Sequence, residues 1–543
     1  MRQSLAIFSA RLCIDLLKFF RLGNGSSLPG RVALKLFPKL LLKANQDILA
    51  KHDALRVMVS GTNGKTTSVG LIDSIYELTQ NKKNLISNRL GANLYYGIAT
   101  AFCNFRGNFT DADFILEVDE AALKTVVRHI KPNFLAFTNI FRDQLDRFGE
   151  IDATKNLLEE ALRIADSETN FNLILNYDDI KLRSISTKTN DNIYFFRLIN
   201  HEALKLNSEK VIDKDSSFFE ESCLDKASSK IKDTLINEDK FITGKLKILE
   251  TKYSVFDLIF RGESIEVTLN LPGIYNVYNA LLAASVFLAA GTSLEKVAQG
   301  LTLYRGAFGR SQTININGVE SNIYLIKNPK GCSEVIHLVK NDKHSLYLII
   351  INDNYADGRD VSWLWDADFE ALVQEKQKVS ENAEDDENAE IGVLLDTQNG
   401  TVAERTSSRL RRTNDRSVLR VHEDHEDDEN AEIGVLQQCQ NGITHKSIKY
   451  ICSGKRAYDM ALRLKYAGAK ITEIHVEADI QSAIDFASNC INGKEYSGSL
   501  PVEGKSPIKN SLNILPTYTA LLDLEKKLSL TTSPLEISPH LHH

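Results

Sequence analysis

The residues with the clearest potential for chemistry form one short run early in the chain. They are Gly61, Thr62, Asn63, Gly64, Lys65, Thr66 and Thr67. Glycines let backbone N–H groups approach an anion closely, and the start of a following helix adds positive potential. In such a loop the lysine reaches the terminal phosphates and the next hydroxyl binds Mg²⁺. The run is therefore a candidate nucleoside triphosphate site.

The spacing of this run departs from the general phosphate-binding loop. Gly61 precedes Gly64 by three positions, whereas the general motif needs about five. A glycine-rich turn without a ligand is the alternative interpretation. The setting favours phosphate binding, because an apolar run at 56–59 predicts a strand before the loop and the pattern at 67–78 predicts a helix after it.

The elements that must position this loop belong to an α/β domain, which we predict to span residues 51–310. Short apolar runs at 114–118, 134–137 and 173–175 predict further strands, with helical patterns between them. Strands that alternate with helices predict a parallel sheet covered by helices on both faces. Residues 196–252 are rich in charged and polar side chains with weak periodicity, which indicates a variable lobe.

A second, smaller α/β unit is predicted from residue 311 to residue 543. Apolar runs at 322–326, 346–351 and 448–451 predict strands separated by helices, the arrangement of a Rossmann-like domain. The segment from 374 to 445 interrupts this pattern.

This interrupting segment is acidic and contains a short internal repeat. The block at 385–394 recurs at 427–436, an offset of 42 residues. Two copies are too few for a solenoid. We predict that residues 374–445 form a disordered insertion, with a regulatory docking arm as the alternative.

Composition excludes some classes of protein. The 543 residues include 43% hydrophobic and 25% charged residues and carry a formal net charge of −7. A nucleic-acid-binding protein would usually carry a basic excess. The seven cysteines contain no C-x-x-C pair, which argues against a disulfide framework and favours a reduced, cytoplasmic interior.

The first 50 residues are predicted to form a helical segment. Residues 4–20 are partly apolar, but Arg11, Asp15 and Lys18 interrupt them, so neither a signal peptide nor a membrane span fits. The spacing of the apolar residues predicts a helix that packs on the body of the protein. Contact with a membrane surface is the alternative.

Several segments resemble, in order and spacing, those of the Mur ligase family. They are the loop at 60–67, the acidic strand end at 116–120, the segments at 138–147 and 273–280, and the Gly309-Arg310 junction. Within that family, longer segments resemble the MurT-type subunits of lipid II isoglutaminyl synthase. These are 28–31, 91–94, 352–363, 453–468 and 515–520. The resemblance covers nearly the whole chain outside 200–250 and 374–445.

This resemblance implies an ATP-dependent ligase of peptidoglycan synthesis. The α-carboxylate of D-glutamate in the lipid II stem peptide would attack the γ-phosphate of ATP to form an acyl phosphate. Ammonia would then displace phosphate and leave D-isoglutamine. In such systems a GatD-type glutaminase subunit supplies the ammonia. The implied ligands are ATP and Mg²⁺, and the implied location is the cytoplasm, with the inner face of the plasma membrane as a further possibility.

The resemblance also implies roles for individual residues. Lys65 and the loop amides would hold the phosphates, while Thr66 and Glu117 would bind Mg²⁺, which prefers oxygen ligands. Glu117 has a surface ion pair as its alternative role. Asn276 would bond adenine or cap the helix that begins there. Arg310 would reach phosphate or ribose, with a hinge salt bridge as its alternative.

A loop in the second unit carries two acids, Asp357 and Asp360. Such a turn is often only a solvated loop. In MurT-type subunits an aspartate of this loop is associated with the Cys–His site of the glutaminase, where a carboxylate orients the histidine. The resemblance therefore implies Asp357 as the third member of that triad, with Asp360 as the second choice.

The chain also departs from its apparent family. Many MurT-type proteins carry a four-cysteine zinc ribbon, but residues 196–252 hold only Cys223, so zinc binding by four thiolates in that segment is excluded. Gln144 stands where amino-acid-adding relatives have a metal-binding histidine, which puts a second Mg²⁺ in doubt. A carbamylated lysine cannot be assigned; Glu159 and Glu160 lie near its expected position.

Two other functions remain open. An amino-acid-adding ligase, of the muramyl-peptide or folylpolyglutamate type, would share the phosphate loop, but the segments at 356–360 and 456–468 argue against it. A nucleotide-binding scaffold for the glutaminase would need no catalysis. The intact Lys65, Thr66 and Glu117 argue against that alternative.

Overall fold

The computed structural model contains two α/β sheets, one after the other along the chain. It describes residues 2–19, 27–50, 54–79, 84–88, 92–140, 151–167, 170–185, 192–199, 238–250, 252–306, 310–340, 345–354, 357–373, 448–492 and 511–531. The predicted insertion at 374–445, with its repeat, lies outside these residues. Gln144 and Cys223 lie outside them as well.

The first sheet surrounds the strand that leads into the glycine-rich loop. Its strands are β1 (Arg56–Ser60), β2 (Leu85–Ser87), β3 (Asp113–Glu117), β4 (Phe134–Phe137), β5 (Asn172–Asn176), β6 (Ile193–Ile199), β7 (Phe241–Leu249), β8 (Ser254–Phe260) and β9 (Glu263–Leu269). Among the described residues the order is β2-β3-β1-β4-β5-β6-β7-β8-β9. Strands β1 to β7 run parallel, and β8 and β9 add an antiparallel edge.

Helices cover both faces of this sheet. They are α1 (Arg2–Phe19), α2 (Leu28–Leu36), α3 (Leu40–Leu49), α4 (Lys65–Thr79), α5 (Tyr95–Asn104), α6 (Glu120–His129), α7 (Ile151–Asp166), α8 (Ile180–Ile185), α9 (Ile274–Ala289) and α10 (Leu294–Leu303). Side chains of a strand point alternately to opposite faces. Accordingly, Val57 and Val59 join the core beneath α4 and α9, whereas Met58 joins the core beneath α5 and α6.

The second sheet is smaller and is also mainly parallel. Its strands are β10 (Arg310–Ile316), β11 (Val319–Tyr324), β12 (Leu346–Ile350), β13 (Tyr450–Ser453), β14 (Ile474–Val476) and β15 (Leu512–Pro516). In the described part the order is β10-β11-β15-β12-β13-β14, and only the β10–β11 pair is antiparallel. Its helices are α11 (Pro329–Val339), α12 (Glu370–Val373), α13 (Ala457–Tyr466), α14 (Ile480–Asn492) and α15 (Tyr518–Thr531).

The predicted fold class is confirmed, and one boundary within it needs correction. The first domain has a largely parallel sheet between helices, and a smaller α/β domain follows. The predicted lobe at 196–252, however, includes the end of β6 and all of β7, which are adjacent parallel strands of the main sheet. Lysines interrupt the apolar pattern of β7, because that strand approaches the sheet edge and one of its faces is partly exposed. Residues 200–237 between them are outside the described part.

Helix α1 packs on α2 and α5, so the predicted packing on the body is found. The face that packs is not the predicted one: Ala6 and Ala10 are buried and Ile7 packs against the core, whereas Leu5, Phe8, Leu12 and Leu16 are exposed. No described helix is both long enough and apolar enough to span a bilayer.

Candidate functional site

The glycine-rich loop lies at the carboxyl edge of the first sheet. β1 ends at Ser60, between β3 on one side and β4 on the other, and α4 begins at Lys65. The chain turns to one side of β1 to form β2 and β3, and then crosses to the other side to form β4. Ligands of open α/β sheets bind in the crevice at such a point.

Two glycines of the loop adopt a conformation that other residues rarely tolerate. Gly61 has φ +123° and Gly64 has φ +83°. A Cβ on Gly61 would lie 2.3 Å from Oγ1 of Thr138, and one on Gly64 would lie 2.2 Å from Oδ1 of Asn279. The loop therefore needs glycine at both positions for conformation and for space.

Asn139, at the end of β4, holds the loop in place. Its backbone oxygen accepts a hydrogen bond from the N–H of Thr62 at 2.9 Å, and its side-chain oxygen accepts one from the N–H of Asn63 at 2.9 Å. Its Nδ2 donates to the carbonyl of Asn63 at 3.1 Å. The sequence analysis assigned no role to Asn139. Its position directly after a strand at the carboxyl edge was the available signal.

Lys65 is buried at the start of α4 and contacts a buried carboxylate. Its Nζ donates to the carbonyl oxygens of Gly61 and Thr62 and lies 3.2 Å from Oε2 of Glu120. Burial raises the pKa of the Glu120 carboxyl, and the charge of Lys65 opposes that rise. In this conformation Glu120 occupies the position of counter-ion that a phosphate would take.

Thr66 and Glu117 lie side by side, as the predicted Mg²⁺ site requires. Oγ1 of Thr66 donates to Oε2 of Glu117 at 2.5 Å. Asn93 donates to the other carboxylate oxygen at 3.0 Å, and Asn88 bonds both the N–H and the carbonyl of Glu117. A hydroxyl and a fixed carboxylate are ligands that suit Mg²⁺. The donor set therefore fits this ion.

The remaining predicted nucleotide residues have different surroundings. Thr67 is buried on the first turn of α4. Asn276 is buried within α9, where its Nδ2 donates to the carbonyl of Pro272 at 2.6 Å. Gly273, not Asn276, is the N-cap of that helix, so the capping role is wrong. The backbone of Arg310 begins β10, but its side chain is outside the described part.

The second domain reaches the phosphate loop through two residues that the sequence analysis missed. Nζ of Lys327 donates to the carbonyl of Thr62 at 3.2 Å, and Nδ2 of Asn328 donates to Oδ1 of Asn63 at 3.0 Å. Both lie between β11 and α11, at the carboxyl edge of the second sheet. A lysine before Asn-Pro at a strand end was the only local signal. The loop is therefore enclosed by both domains.

The two aspartates of the other candidate loop have different surroundings. Asp357 is buried, and its carboxylate accepts hydrogen bonds from the N–H and hydroxyl of Thr519 and from the N–H of Asn354. Burial raises the pKa of the Asp357 carboxyl, and the bonds from Thr519 oppose that rise. Asp360 is exposed, and its Oδ1 accepts a bond from the N–H of Ser362 at 2.8 Å.

Two exposed aromatic rings meet where the short helix after this loop approaches the end of α13. Trp365 belongs to a short 3₁₀ helix, Ser362–Asp366, and its ring meets that of Tyr466 from α13 edge to face at 5.5 Å. Both are largely exposed. The guanidinium of Arg463 lies 5.4 Å from the Trp365 ring and pairs with Glu370 at 2.8 Å. Asp360 therefore lies two residues before a short helix that carries an exposed aromatic ring.

Family comparisons match both domains. The Mur ligase middle domain matches residues 59–287, and the MurT ligase C-terminal domain matches residues 325–433 and 437–521. The chain is 34% identical over 366 residues to a protein of Streptococcus pneumoniae named lipid II isoglutaminyl synthase (glutamine-hydrolyzing) subunit MurT. That match covers 65% of this chain and 78% of the relative. The Staphylococcus aureus protein of the same name is 30% identical over 382 residues, with the same coverage.

Solved structures support the fold. MurF from Acinetobacter baumannii has a TM-score of 0.55 with 14% sequence identity, and the match covers 92% of this chain and 81% of that one. At such low identity the likeness concerns the fold alone. The resemblance to the Mur ligase family, and to the MurT type within it, is confirmed by the sequence comparisons.

Proposed function

The chain belongs to the MurT-type subunits of the Mur ligase family, and on that premise we propose that it amidates the α-carboxylate of D-glutamate in the lipid II stem peptide. It is a ligase that forms C–N bonds. The single observation that carries the proposal is the group formed by Lys65, Thr66 and Glu117 at the carboxyl edge of the sheet. This group offers the charges and oxygen ligands that phosphoryl transfer from ATP requires.

The proposed reaction has two steps. A carboxylate oxygen of D-glutamate attacks the γ-phosphorus of ATP, the bond to the β–γ bridging oxygen breaks, and ADP leaves. Ammonia then attacks the activated carbonyl carbon, loses a proton, and displaces inorganic phosphate. The product is D-isoglutamine within the stem peptide.

The residues of the site serve the first step. The N–H groups of the loop and the ammonium of Lys65 hold the phosphates, because they supply donors and positive charge where negative charge accumulates. Thr66 and Glu117 would hold Mg²⁺, which neutralises phosphate charge when bound. Lys327 adds a second ammonium from the other domain. Asn276 and Arg310 remain the proposed contacts to the nucleoside.

The ammonia is proposed to come from a GatD-type glutaminase subunit. The relatives are named as subunits of a glutamine-hydrolyzing enzyme, which supports a partner. The loop that contains Asp357 and Asp360 would complete the partner's Cys–His site. Asp360 is the carboxylate that a partner can reach in this conformation, and Asp357 holds the loop through Thr519. Trp365, on the short helix that follows this loop, and Tyr466, which its ring meets, are both exposed and suit a protein interface.

The central test is ATP-dependent amidation by the purified chain and a glutaminase. We expect mass analysis to show that one carboxyl group of the product has become an amide, which makes it slightly lighter than the acid, with ATP turnover supported by ammonia or by glutamine plus the partner. Lys65→Ala should lower turnover by about two orders of magnitude or more. Lys124→Ala is the matched control, because Lys124 pairs with Glu160 on the surface.

The same assay separates the competing functions. Turnover with a free amino acid in place of ammonia would indicate an amino-acid-adding ligase. Unchanged amidation by Lys65→Ala would indicate a scaffold that only binds nucleotide.

The two aspartates can be separated by comparing ammonia with glutamine as nitrogen source. Asp360→Asn should keep ammonia-dependent amidation, because it leaves the nucleotide site intact. It should lose glutamine-dependent amidation, because the partner's Cys–His site would lack its carboxylate. Asp357→Asn should impair the glutamine reaction and also lower stability, because Thr519 and Asn354 lose their charged acceptor. If Asp357→Asn alone abolished the glutamine reaction without a loss of stability, Asp357 would be the triad member.

A further inference from the structure

Helix α1 presents its large apolar side chains to solvent. Ala6 and Ala10 face the body and are fully buried, whereas the opposite face is apolar and exposed. At about 3.6 residues per turn, positions 5, 8, 12 and 16 share that face. The exposed fractions are 60% for Leu5, 64% for Phe8, 50% for Leu12 and 48% for Leu16. Asp15 is exposed at the edge of this stripe.

The helix is held in this orientation by Arg11. Its Nε donates to the carbonyl of Cys103 at 2.9 Å, and its guanidinium also donates to the carbonyl of Phe105 at 2.5 Å. These two bonds join α1 to the end of α5. A rotation that buried Leu12 in place of Ala10 would break both bonds. The bonds of Arg11 therefore hold α1 in the orientation that exposes its apolar face.

The first 50 residues carry a charge opposite in sign to that of the chain as a whole. Residues 1–50 contain eight Lys and Arg and two Asp, a formal charge of +6, whereas the whole chain carries −7. Helix α2, which packs on α1, exposes Arg31 and Lys35 beside Leu28 and Leu36. An apolar stripe within a basic region is the pattern of helices that lie in the interface of an anionic membrane.

We propose that the exposed face of α1, formed by Leu5, Phe8, Leu12 and Leu16, docks on the surface of an anionic phospholipid bilayer. Its apolar side chains would enter the headgroup–acyl boundary, with the basic residues of α2 near the lipid phosphates. Docking of α1 on a bilayer rests on the proposed function in one respect. It would bring the site to the surface that holds the lipid-linked acceptor. A second copy fits less well, because two such basic surfaces repel each other.

The test is co-sedimentation of the full chain with vesicles. We expect binding to vesicles of phosphatidylglycerol and phosphatidylcholine that weakens as salt rises, and little binding to phosphatidylcholine alone. The double variant Phe8→Gln and Leu12→Gln should lower the partition coefficient by about tenfold or more. Both side chains are exposed, and glutamine is a good helix former, so the thermal stability should not change.

The matched control is Leu303→Gln, which alters an equally exposed leucine at the end of α10. It should bind vesicles like the wild type. Absence of binding to the anionic vesicles, or unchanged binding by the double variant, would overturn the proposal. Two other results in the double variant, measured without vesicles, would also overturn the proposal. They are a loss of self-association and a loss of co-purification with the glutaminase, because the exposed face of α1 would then be a protein interface.

Amidation assays with two acceptors distinguish membrane docking from the amidation reaction. The double variant should amidate a water-soluble stem peptide at the wild-type rate and a vesicle-bound lipid II more slowly. If the wild type bound vesicles but amidated neither acceptor, the proposed function would fail and the docking surface would stand.

Discussion

At the scale of single residues, the candidate site contains charged side chains that are already paired, and two positions, 61 and 64, where only glycine fits. Lys65 contacts Glu120, and Thr66 donates to Glu117, so the side chains of Lys65 and Thr66, which would contact the triphosphate and its ion, already have polar partners. Buried polar groups without partners are costly. The site is therefore stable without ligand, and ligand binding exchanges one set of partners for another.

Removal of the Thr66 hydroxyl tests the proposed ion ligand. Thr66→Val keeps the shape of the side chain, so we expect little change in stability and a loss of ATP turnover of about 10²-fold, measured as phosphate release. Thr79→Val is the control, because the Thr79 hydroxyl bonds the helical carbonyls of Ile75 and Tyr76 at the far end of α4, away from the glycine-rich loop. Equal turnover in the two variants would remove Thr66 from the ion site.

Glu120→Gln tests the exchange of partners at Lys65. The variant removes the carboxylate that competes with phosphate for Lys65, so we expect ATP affinity to rise by about tenfold. We also expect little change in the stability of the unliganded protein, because the variant removes the burial cost of the Glu120 charge while Lys65 loses its counter-ion. Calorimetric titration and thermal unfolding with and without ATP measure both effects.

The pH dependence of that comparison follows from the raised pKa of Glu120. As the pH falls through this pKa, the wild-type carboxyl is protonated and comes to resemble glutamine. The affinity ratio between variant and wild type should therefore shrink toward one at low pH. A ratio that does not change with pH would mean that Glu120 does not compete with phosphate.

At the scale of elements, the approach of α9 to the phosphate loop sets the geometry of the site. Asn279 of α9 lies so close to Gly64 that no side chain fits between them, and it also accepts a bond from Ser68 at 3.2 Å. The loop is thus enclosed by α4, by α9 and by the end of β4. Its conformation depends on packing between distant parts of the chain as much as on the loop sequence.

Gly64→Ala and Gly262→Ala separate steric contact from backbone strain. Both glycines have φ near +80°, but a Cβ on Gly262 meets nothing within 4 Å. Gly262→Ala should cost about 1 kcal/mol of stability and leave ATP affinity unchanged. Gly64→Ala should cost more and abolish ATP binding, because the added Cβ displaces Asn279 or the loop. Chemical denaturation and ATP titration of the two variants give the comparison.

Local patterns predicted some elements well and others poorly, for physical reasons. The buried strand β12 and the strand–loop–helix around Lys65 follow from continuous apolar runs and glycines, which are local signals. The contact of Lys327 with Thr62 joins residues that are 265 positions apart, and no periodicity encodes it. The orientation of α1 was also not predicted: its small Ala6 and Ala10 face the body and Arg11 bonds the end of α5, and the periodicity of the large apolar residues does not encode these contacts.

At the scale of the whole molecule, the two domains meet at the phosphate loop. Lys327 and Asn328 of the second domain bond Thr62 and Asn63 of the first. If the loop binds nucleotide as proposed, nucleotide binding and the relative position of the domains would be coupled, because the same loop serves both.

Lys327→Ala tests this coupling. The variant removes an ammonium beside the phosphate loop and a bond between domains, so we expect turnover to fall by about tenfold or more, with weaker ATP affinity. Lys330→Ala is the control, because Lys330 lies one turn further on and pairs with Glu334 at 3.0 Å. Similar turnover in the two variants would show that the contact is only structural. Phosphate release and ATP titration measure the outcome.

The place of β15 in the second sheet has a consequence for how the protein is made. This strand, at Leu512–Pro516, lies between β11 and β12, although it follows both by more than 150 residues. During translation β11 can pair with β10, and β12 with β13. The edges of β11 and β12 that face β15 must stay unpaired until the ribosome has released the residues near 512. Thr519, just beyond, supplies the bonds that shape the Asp357 loop. A nascent chain would therefore acquire its glycine-rich loop first and its Asp357 loop last.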